Sequence, residues 1–449
     1  MDKSLKNKLI TFFSISIYLS FFLGFYLNEN SSGAGNYSGD LTWMWDNFEI
    51  YKSNDLWTAI HHPDFWGNRT PLIYILHIVL NPFISDIDTY RLSVFCISFS
   101  APLIFYLCLL QKFKEVDKNT LFFISSFILL SPYFRTNSYW AGETNYGIIT
   151  TLASIYFLNH TLINNFLRIK TNIYLSLTLL TFFSSLCIYF DQKLLIIPLL
   201  VLFKILYSQI DLRYKLYSIL NYCIFSVPFL YLIFTWKGLI PPATQAYSPD
   251  QGSSLSSLKL HFFHIGYATA IMAFYLFPII LLKSNNLTSS LKDFFYDKKN
   301  LFFIFISIIY LFFINIFYDF ENFTIKKQFS TADYGVYGLG ILHKVSLFLF
   351  SDLFYREIFT YLVFFISWII LLFAIEKKNI NIIIILYFYF LSLIIFPLMQ
   401  EYFDPYIILF SFLLFNLKFD FKLYKLIGAF VYLIIFLTGA NLYYFIKLS

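Results

Sequence analysis

Charge is what this sequence has least of. Only 13% of its 449 residues are Asp, Glu, Lys or Arg, about half the share a soluble globular chain carries, and a water-soluble fold is excluded on that ground. Cysteine is scarce as well. Cys96, Cys108, Cys187 and Cys223 stand singly inside apolar runs with no paired spacing. That pattern excludes a disulfide framework or a cysteine zinc site and predicts four small buried hydrophobes. A phosphate-cradling glycine loop is also lacking. Gly335, Gly338 and Gly340 in TADYGVYGLGIL follow no strand, so the segment reads as a flexible outer loop able to act as a lid. The net charge of +6 is dispersed through short loops, which is not the clustered footprint of a nucleic-acid partner.

What the chain has instead is hydrophobic length. Hydrophobic residues make up 59% of it, with 59 Phe and 36 Tyr. Apolar runs near the roughly 20 residues needed to cross a bilayer recur throughout. The expectation is an all-α, polytopic membrane protein forming one integral domain, with about 13 spans (11–14). They lie near 8–27, 88–111, 119–134, 146–163, 172–190, 192–208, 216–236, 259–282, 300–318, 356–376, 379–398, 403–417 and 425–446. The basic start MDKSLKNK and the long run after it read as an uncleaved first span with its N-terminus inside. TPLIYILHIVLNPF, 70–83, is too short to span and is expected as an interfacial helix. With that choice the greater part of the Lys and Arg falls on the inside, as the positive-inside rule asks.

The outer side then collects the polar chemistry. It receives a first loop, 28–87, with juxtamembrane helices, the turn Asp191-Gln192-Lys193, an outer loop at 319–355, and Gln400-Glu401-Tyr402-Phe403-Asp404. The stretch GDLTWMWDNFEIY, 39–51, sets Asp40, Asp46 and Glu49 among Trp43, Trp45, Phe48 and Tyr51. Such aromatics, with Trp57, are expected to dock a loop helix at the head-group level. Acids concentrated at span ends on one side suit an enzyme working at one membrane face. A transporter built on inverted repeats would show internal repetition, and no repeat is visible.

Four segments, taken in order, resemble the GT-C superfamily of polyprenyl-phosphate-sugar-dependent glycosyltransferases, which includes protein O-mannosyltransferases and aminoarabinose transferases. They are the acid of Gly39-Asp40 after the first span, NRTPLIYIL at 68–76, YRLSVFCISFSAPLIFYL at 90–107 with Arg91, and SPYFRTNSYWAGETNYGIITTLASIYFL at 131–158 with Glu143. Thr70 stands where the family has a proline, and Glu143 where Asp is common.

The resemblance implies transfer of a sugar, with inversion, from a lipid phosphate donor to a glycan, lipid or protein acceptor. It implies a bacterial inner membrane with the site facing the periplasm. Such a displacement needs a base for the acceptor hydroxyl and positive charge for the departing phosphate. Asp40 is the expected base, with Asp46 the alternative, and Glu143 the second catalytic acid. Arg135, Lys193, His62, Arg69, Gln400 and Tyr402 are the expected substrate contacts, with Arg135 meeting phosphate or pairing with Glu143. No resident cofactor or metal-ligand set is expected; neither the adjacent His61 and His62 nor His261 and His264 find a third ligand. A divalent cation bridging Asp40, Glu143 and the donor phosphate stays open. A polysaccharide polymerase or ligase centred on the second half, and a transporter of lipid-linked glycans, are the competing readings.

Overall fold

The computed structural model describes residues 3–33, 37, 39–67, 69–166, 173–247, 260–283, 287–321, 339–375 and 379–448. Among them the chain is all-α; no strand is present, and an isolated bridge pairs Lys283 with Phe419. Two compact units emerge. The first comprises Met1–Pro249 with Leu433–Ser449, and the second Asp250–Tyr432.

The first unit holds α1 (Lys3–Tyr26), α2 (Asp40–Ser53), α3 (Leu56–Ile60), α4 (Leu72–Leu80), α5 (Ile87–Ser98), α6 (Ser100–Lys112), α7 (Lys118–Ser125), α8 (Pro132–Tyr139), α9 (Thr144–Phe166), α10 (Ile173–Phe190), α11 (Ile196–Tyr207), α12 (Leu212–Trp236) and α13 (Pro242–Tyr247). The second holds α14 (His264–Leu281), α15 (Leu287–Tyr296), α16 (Lys298–Phe317), α17 (Gly340–Leu349), α18 (Leu353–Ile375), α19 (Asn379–Ile394), α20 (Tyr406–Leu413) and the start of α21 (Leu423–Leu448).

Among the described residues, eight helical stretches are long and apolar enough to cross a membrane: Leu5–Tyr26, Ile87–Lys112, Ile173–Phe190, Leu212–Trp236, His264–Leu281, Lys298–Phe317, Leu353–Ile375 and Leu423–Ile446. Their outward faces support the same conclusion. Phe302, Phe312 and Phe317 on α16 are each 60% exposed or more, a surface that hydrocarbon would cover and water would not tolerate. The protein is thus a multi-pass, all-α membrane protein.

Of the five other expected spans, four are cut by polar or proline breaks. The run 119–134 becomes α7 and a 3-10 turn, ending at Ser131-Pro132. The run 192–208 yields only the 12 residues of α11 behind Asp191. Residues 379–398 give the 16-residue α19, which stops short of Pro397, and 403–417 the eight-residue α20 behind Pro405. Helix α9 is 23 residues long but carries Asn145, Thr150, Thr151, Asn159 and His160; it is not among the eight. Helix α4, within 70–83, has nine residues, too few to span.

Two sequence expectations about packing need correction. Cys108 and Cys187 are buried, but Cys96 and Cys223 are exposed, since an outward helix face needs only to be apolar. The aromatics of 39–51 do not all point outward either. Helix α2 buries Phe48 and Tyr51, with Phe48 5.0 Å from the Tyr90 ring and Tyr51 5.7 Å from that of Tyr74. That face docks α2 on α4 and α5; Trp43 and Trp45 are half-buried, and Trp57 is exposed.

Of the outer loop 319–355, residues 322–338 lie outside the described residues, and with them Gly335, Gly338 and any lid.

Candidate functional site

The site grows from the turn between α8 and α9. Ser131 caps α8, its Oγ accepting from the Phe134 N–H at 3.0 Å, with Pro132 in the first helical turn. At the far end Ala141 takes a left-handed backbone (φ +57). Gly142 donates its N–H to the Asn137 carbonyl at 2.8 Å. A Cβ on Gly142 would fall 2.0 Å from Asn137 Oδ1, so this tight reversal requires glycine. The next residue is Glu143, at the start of α9.

Among the described residues, helices α9 and α10 make the most extensive helix pair. Asp191 directly follows α10, and its Oδ1 accepts from the Lys193 N–H at 3.1 Å. Residues 66, 67, 69 and 70 are laid against the same end. Thr70 Oγ1 donates to the Tyr189 carbonyl at 2.6 Å, and the Gly67 N–H donates to Thr244 Oγ1 at 3.0 Å. These bonds deliver Arg69 between the two acids.

The result is four alternating charges. Arg69 Nη1 donates to Glu143 Oε1 at 3.1 Å; its Nη2 is 3.7 Å from Asp191 Oδ2, and Lys193 Nζ is 3.6 Å from that same oxygen. All four side chains are largely shielded, with Asp191 only 1% exposed and Lys193, the most open, 18%. Asp191 Oδ2 receives no hydrogen bond among the described residues, so an acid buried between two cations keeps an unused acceptor. Burial raises the pKa of Glu143 above the usual carboxylate range. The charge of Asp191 adds to that rise, while Arg69 and Lys193 oppose it.

Of the residues expected to act, the structure therefore gathers Glu143, Arg69 and Lys193. Asp40 is exposed in the first turn of α2, and the strongest charges acting on Glu143 are those of Arg69, Asp191 and Lys193. Asp46 is likewise exposed. Arg135 pairs with Glu29 instead of Glu143. Its Nε donates to Glu29 Oε1 at 2.8 Å, Nη2 to the Ser20 carbonyl at 2.8 Å, and Nη1 to the Leu129 carbonyl at 3.2 Å. Those bonds tie α8 to α1 and use the guanidinium for architecture. Arg91 does similar work. It donates to the Tyr139 and Phe25 carbonyls and lies between the Phe25 and Trp140 rings at 4.5 and 4.4 Å.

His62 is half-buried and turned toward its own loop, its Nδ1 accepting from the Asp64 N–H at 3.2 Å. Gln400 and Tyr402 belong to the second unit. Gln400 is buried, donating to the Tyr275 hydroxyl at 2.7 Å and accepting from the Ile341 N–H at 2.7 Å. Tyr402 donates to the Pro397 carbonyl at 3.3 Å. Among the described residues, no group of three His, Cys, Asp or Glu side chains is arranged to hold a metal ion.

Asp191 is the residue that sequence reasoning passed over. Its signal was present: Asp191-Gln192-Lys193 is the polar break in the apolar run 172–208. A turn explains such a break equally well, so the carboxylate stood out only once Arg69 was seen against it.

Chemically, two anions and two cations in a shielded space can bind a partner carrying both a phosphate and a hydroxyl. The cations meet the one, and a carboxylate of raised proton affinity meets the other. No protein-family model, curated protein or solved structure matches this chain.

Proposed function

We propose that the protein is an inverting glycosyltransferase. It moves a sugar from a polyprenyl phosphate donor to a glycan, lipid or protein acceptor at the periplasmic face of a bacterial inner membrane. The observation that carries this reading is the meeting of Glu143 and Asp191, from separate turns, with Arg69 and Lys193. The order of the GT-C-like segments along the first 160 residues supports it.

In this reading the acceptor oxygen attacks the anomeric carbon while the carbon–oxygen bond to the donor phosphate breaks. The phosphate leaves with the bonding electron pair, and Arg69 and Lys193 stabilise its charge. The acceptor proton passes to a carboxylate. Glu143 suits that task better than Asp40, because its raised pKa brings it toward the operating pH, where a general base is most effective. Asp191 holds Arg69 and Lys193 in place and offers its unused oxygen to an acceptor hydroxyl. No acid is needed at the leaving group, since phosphate departs as a stable anion.

Mass spectrometry of envelope glycans and lipids from a deletion strain tests the activity. One sugar should disappear, and plasmid-borne wild-type protein should restore it while Glu143→Gln should not. An unchanged sugar profile, or full rescue by Glu143→Gln, defeats the reading. The latter result would favour a polymerase or ligase centred on the second unit.

A further inference from the structure

The second unit holds a buried polar cluster with no part in the chemistry above. Helices α14, α17 and α18 pack on one another there. Helix α18 buries Arg356, Thr360 and Phe364, spaced four apart and so sharing one face. A Cβ on Gly266 of α14 would fall 2.3 Å from the Phe364 ring, so glycine permits the two helices to close. Tyr267 of α14 and His343 of α17 complete the cluster. The Tyr267 ring lies 4.9 Å from that of Phe364 and 6.3 Å from the His343 imidazole, and the charge of Arg356 acts on both Tyr267 and His343.

Arg356 is 5% exposed, and His343 and Tyr267 are fully buried. Among the described residues no hydrogen-bond partner meets Arg356 Nε or Nη2 or either nitrogen of His343, and the Tyr267 and Thr360 hydroxyls lie against each other. Buried polar groups are ordinarily satisfied, and a guanidinium cannot shed its charge to escape the cost. Nε and Nη2 form one edge of the guanidinium, the fork that receives two oxygens of an oxyanion. Burial, with the positive charges of Arg356 and Lys344, pushes the His343 pKa down to about 4. At neutral pH it therefore adds an N–H donor and not a second cation. The side chains together offer more donors than the two oxygens of a carboxylate need; the several oxygens of a phosphate use them better. Arg356 also lies one turn inside the candidate span Leu353–Ile375, near the depth of lipid head groups. An ionisable residue inside such a helix marks a functional site by default.

We propose that Arg356, His343, Tyr267 and Thr360 form a binding site for a phosphate group within the second unit. The phosphate is either that of a lipid head group or a free phosphate. The full-length protein in detergent is titrated with inorganic phosphate against chloride at matched ionic strength. In parallel it is placed in phosphate-free nanodiscs containing phosphatidic acid or, as control, diacylglycerol. Intrinsic tryptophan fluorescence reports Tm.

A rise in Tm with inorganic phosphate identifies a free phosphate. A rise with phosphatidic acid, absent with both phosphate and diacylglycerol, identifies a lipid. In a Lys193→Met background, which weakens phosphate binding at the first-unit site, Arg356→Met should abolish the response while melting no lower than its parent without ligand, because it removes a buried charge whose Nε and Nη2 have no hydrogen bond among the described residues. Arg356→Lys, which keeps the charge but loses the fork, should weaken binding by about tenfold. Tyr267→Phe, which removes a hydroxyl whose neighbour is the Thr360 hydroxyl, should fold normally and raise Kd severalfold. No rise with either source, or an undiminished rise in both Arg356→Met and Tyr267→Phe, overturns the site. Glu143→Gln should leave the response intact, so this outcome and the fate of the transferase reading are separable.

Discussion

Two arginine–glutamate pairs in the first unit look alike in a sequence and differ in the fold. Arg135 and Glu29 form a closed pair, in which the guanidinium also bonds the Ser20 and Leu129 carbonyls. Arg69 and Glu143 form an open one. Their pair is drawn toward Asp191 and Lys193, and Asp191 Oδ2 has cations at 3.6 and 3.7 Å but receives no hydrogen bond among the described residues. A buried charge with every bond made fixes architecture. A buried charge shared among several partners, with an acceptor to spare, can exchange a protein contact for a substrate contact at low cost. Arg356 stands further along the same scale, with two guanidinium nitrogens that receive no hydrogen-bond partner among the described residues.

The largest expected effect tests the open pair. Glu143→Gln is nearly isosteric and should lower transfer by about 10²–10⁴-fold, the usual worth of a general base, while the circular dichroism stays native. Next, Arg135→Ala should cost about 3–5 kcal/mol of stability in a denaturant titration, because it leaves Glu29 partly buried without its cation. A stable Arg135→Ala protein that had lost only activity would erase the distinction between the pairs. Lys193→Met should lower kcat about 10²-fold with a smaller change in KM for the lipid-phosphate donor, as loss of a contact that strengthens in the transition state does.

The pH profile sharpens the same contrast. A base must be unprotonated, so activity should fall as pH drops through the Glu143 pKa. That acid limb should lie above the ordinary carboxylate range, because burial raises the pKa. Arg69→Met removes a charge that opposes the rise and should move the limb to still higher pH. The smallest effect belongs to the scaffold: Ser131→Ala, which uncaps α8, should cost about 1 kcal/mol. Asp40→Ala should leave transfer within about twofold of wild type; its abolition would return the role of base to Asp40.

The membrane class, the all-α architecture and the longest helices were legible in the sequence, because twenty consecutive apolar residues admit few other readings. The shorter elements were less so. Whether 192–208 or 403–417 spans depends on where Asp191 and Pro405 end a helix, and hydropathy averages across such breaks. Arg69, Glu143 and Lys193 could be named from their segments, but Arg135 looked equally suitable and proved to be a tie between α8 and α1. Gln400, chosen for its polarity at a helix end, instead joins α14 to α17 through Tyr275 and Ile341.

By itself the sequence determined the solvent of this protein, since hydrophobicity is a local property summed along the chain. Only the tertiary structure decided which charges meet. Arg69, Glu143 and Asp191 are 74 and 48 residues apart in succession, and what joins them is the antiparallel closure of α9 on α10 and the bond from Thr70 to Tyr189. Electrostatic partnership depends on distances of a few ångströms and on the water excluded around them, and neither is encoded in the neighbourhood of any one residue.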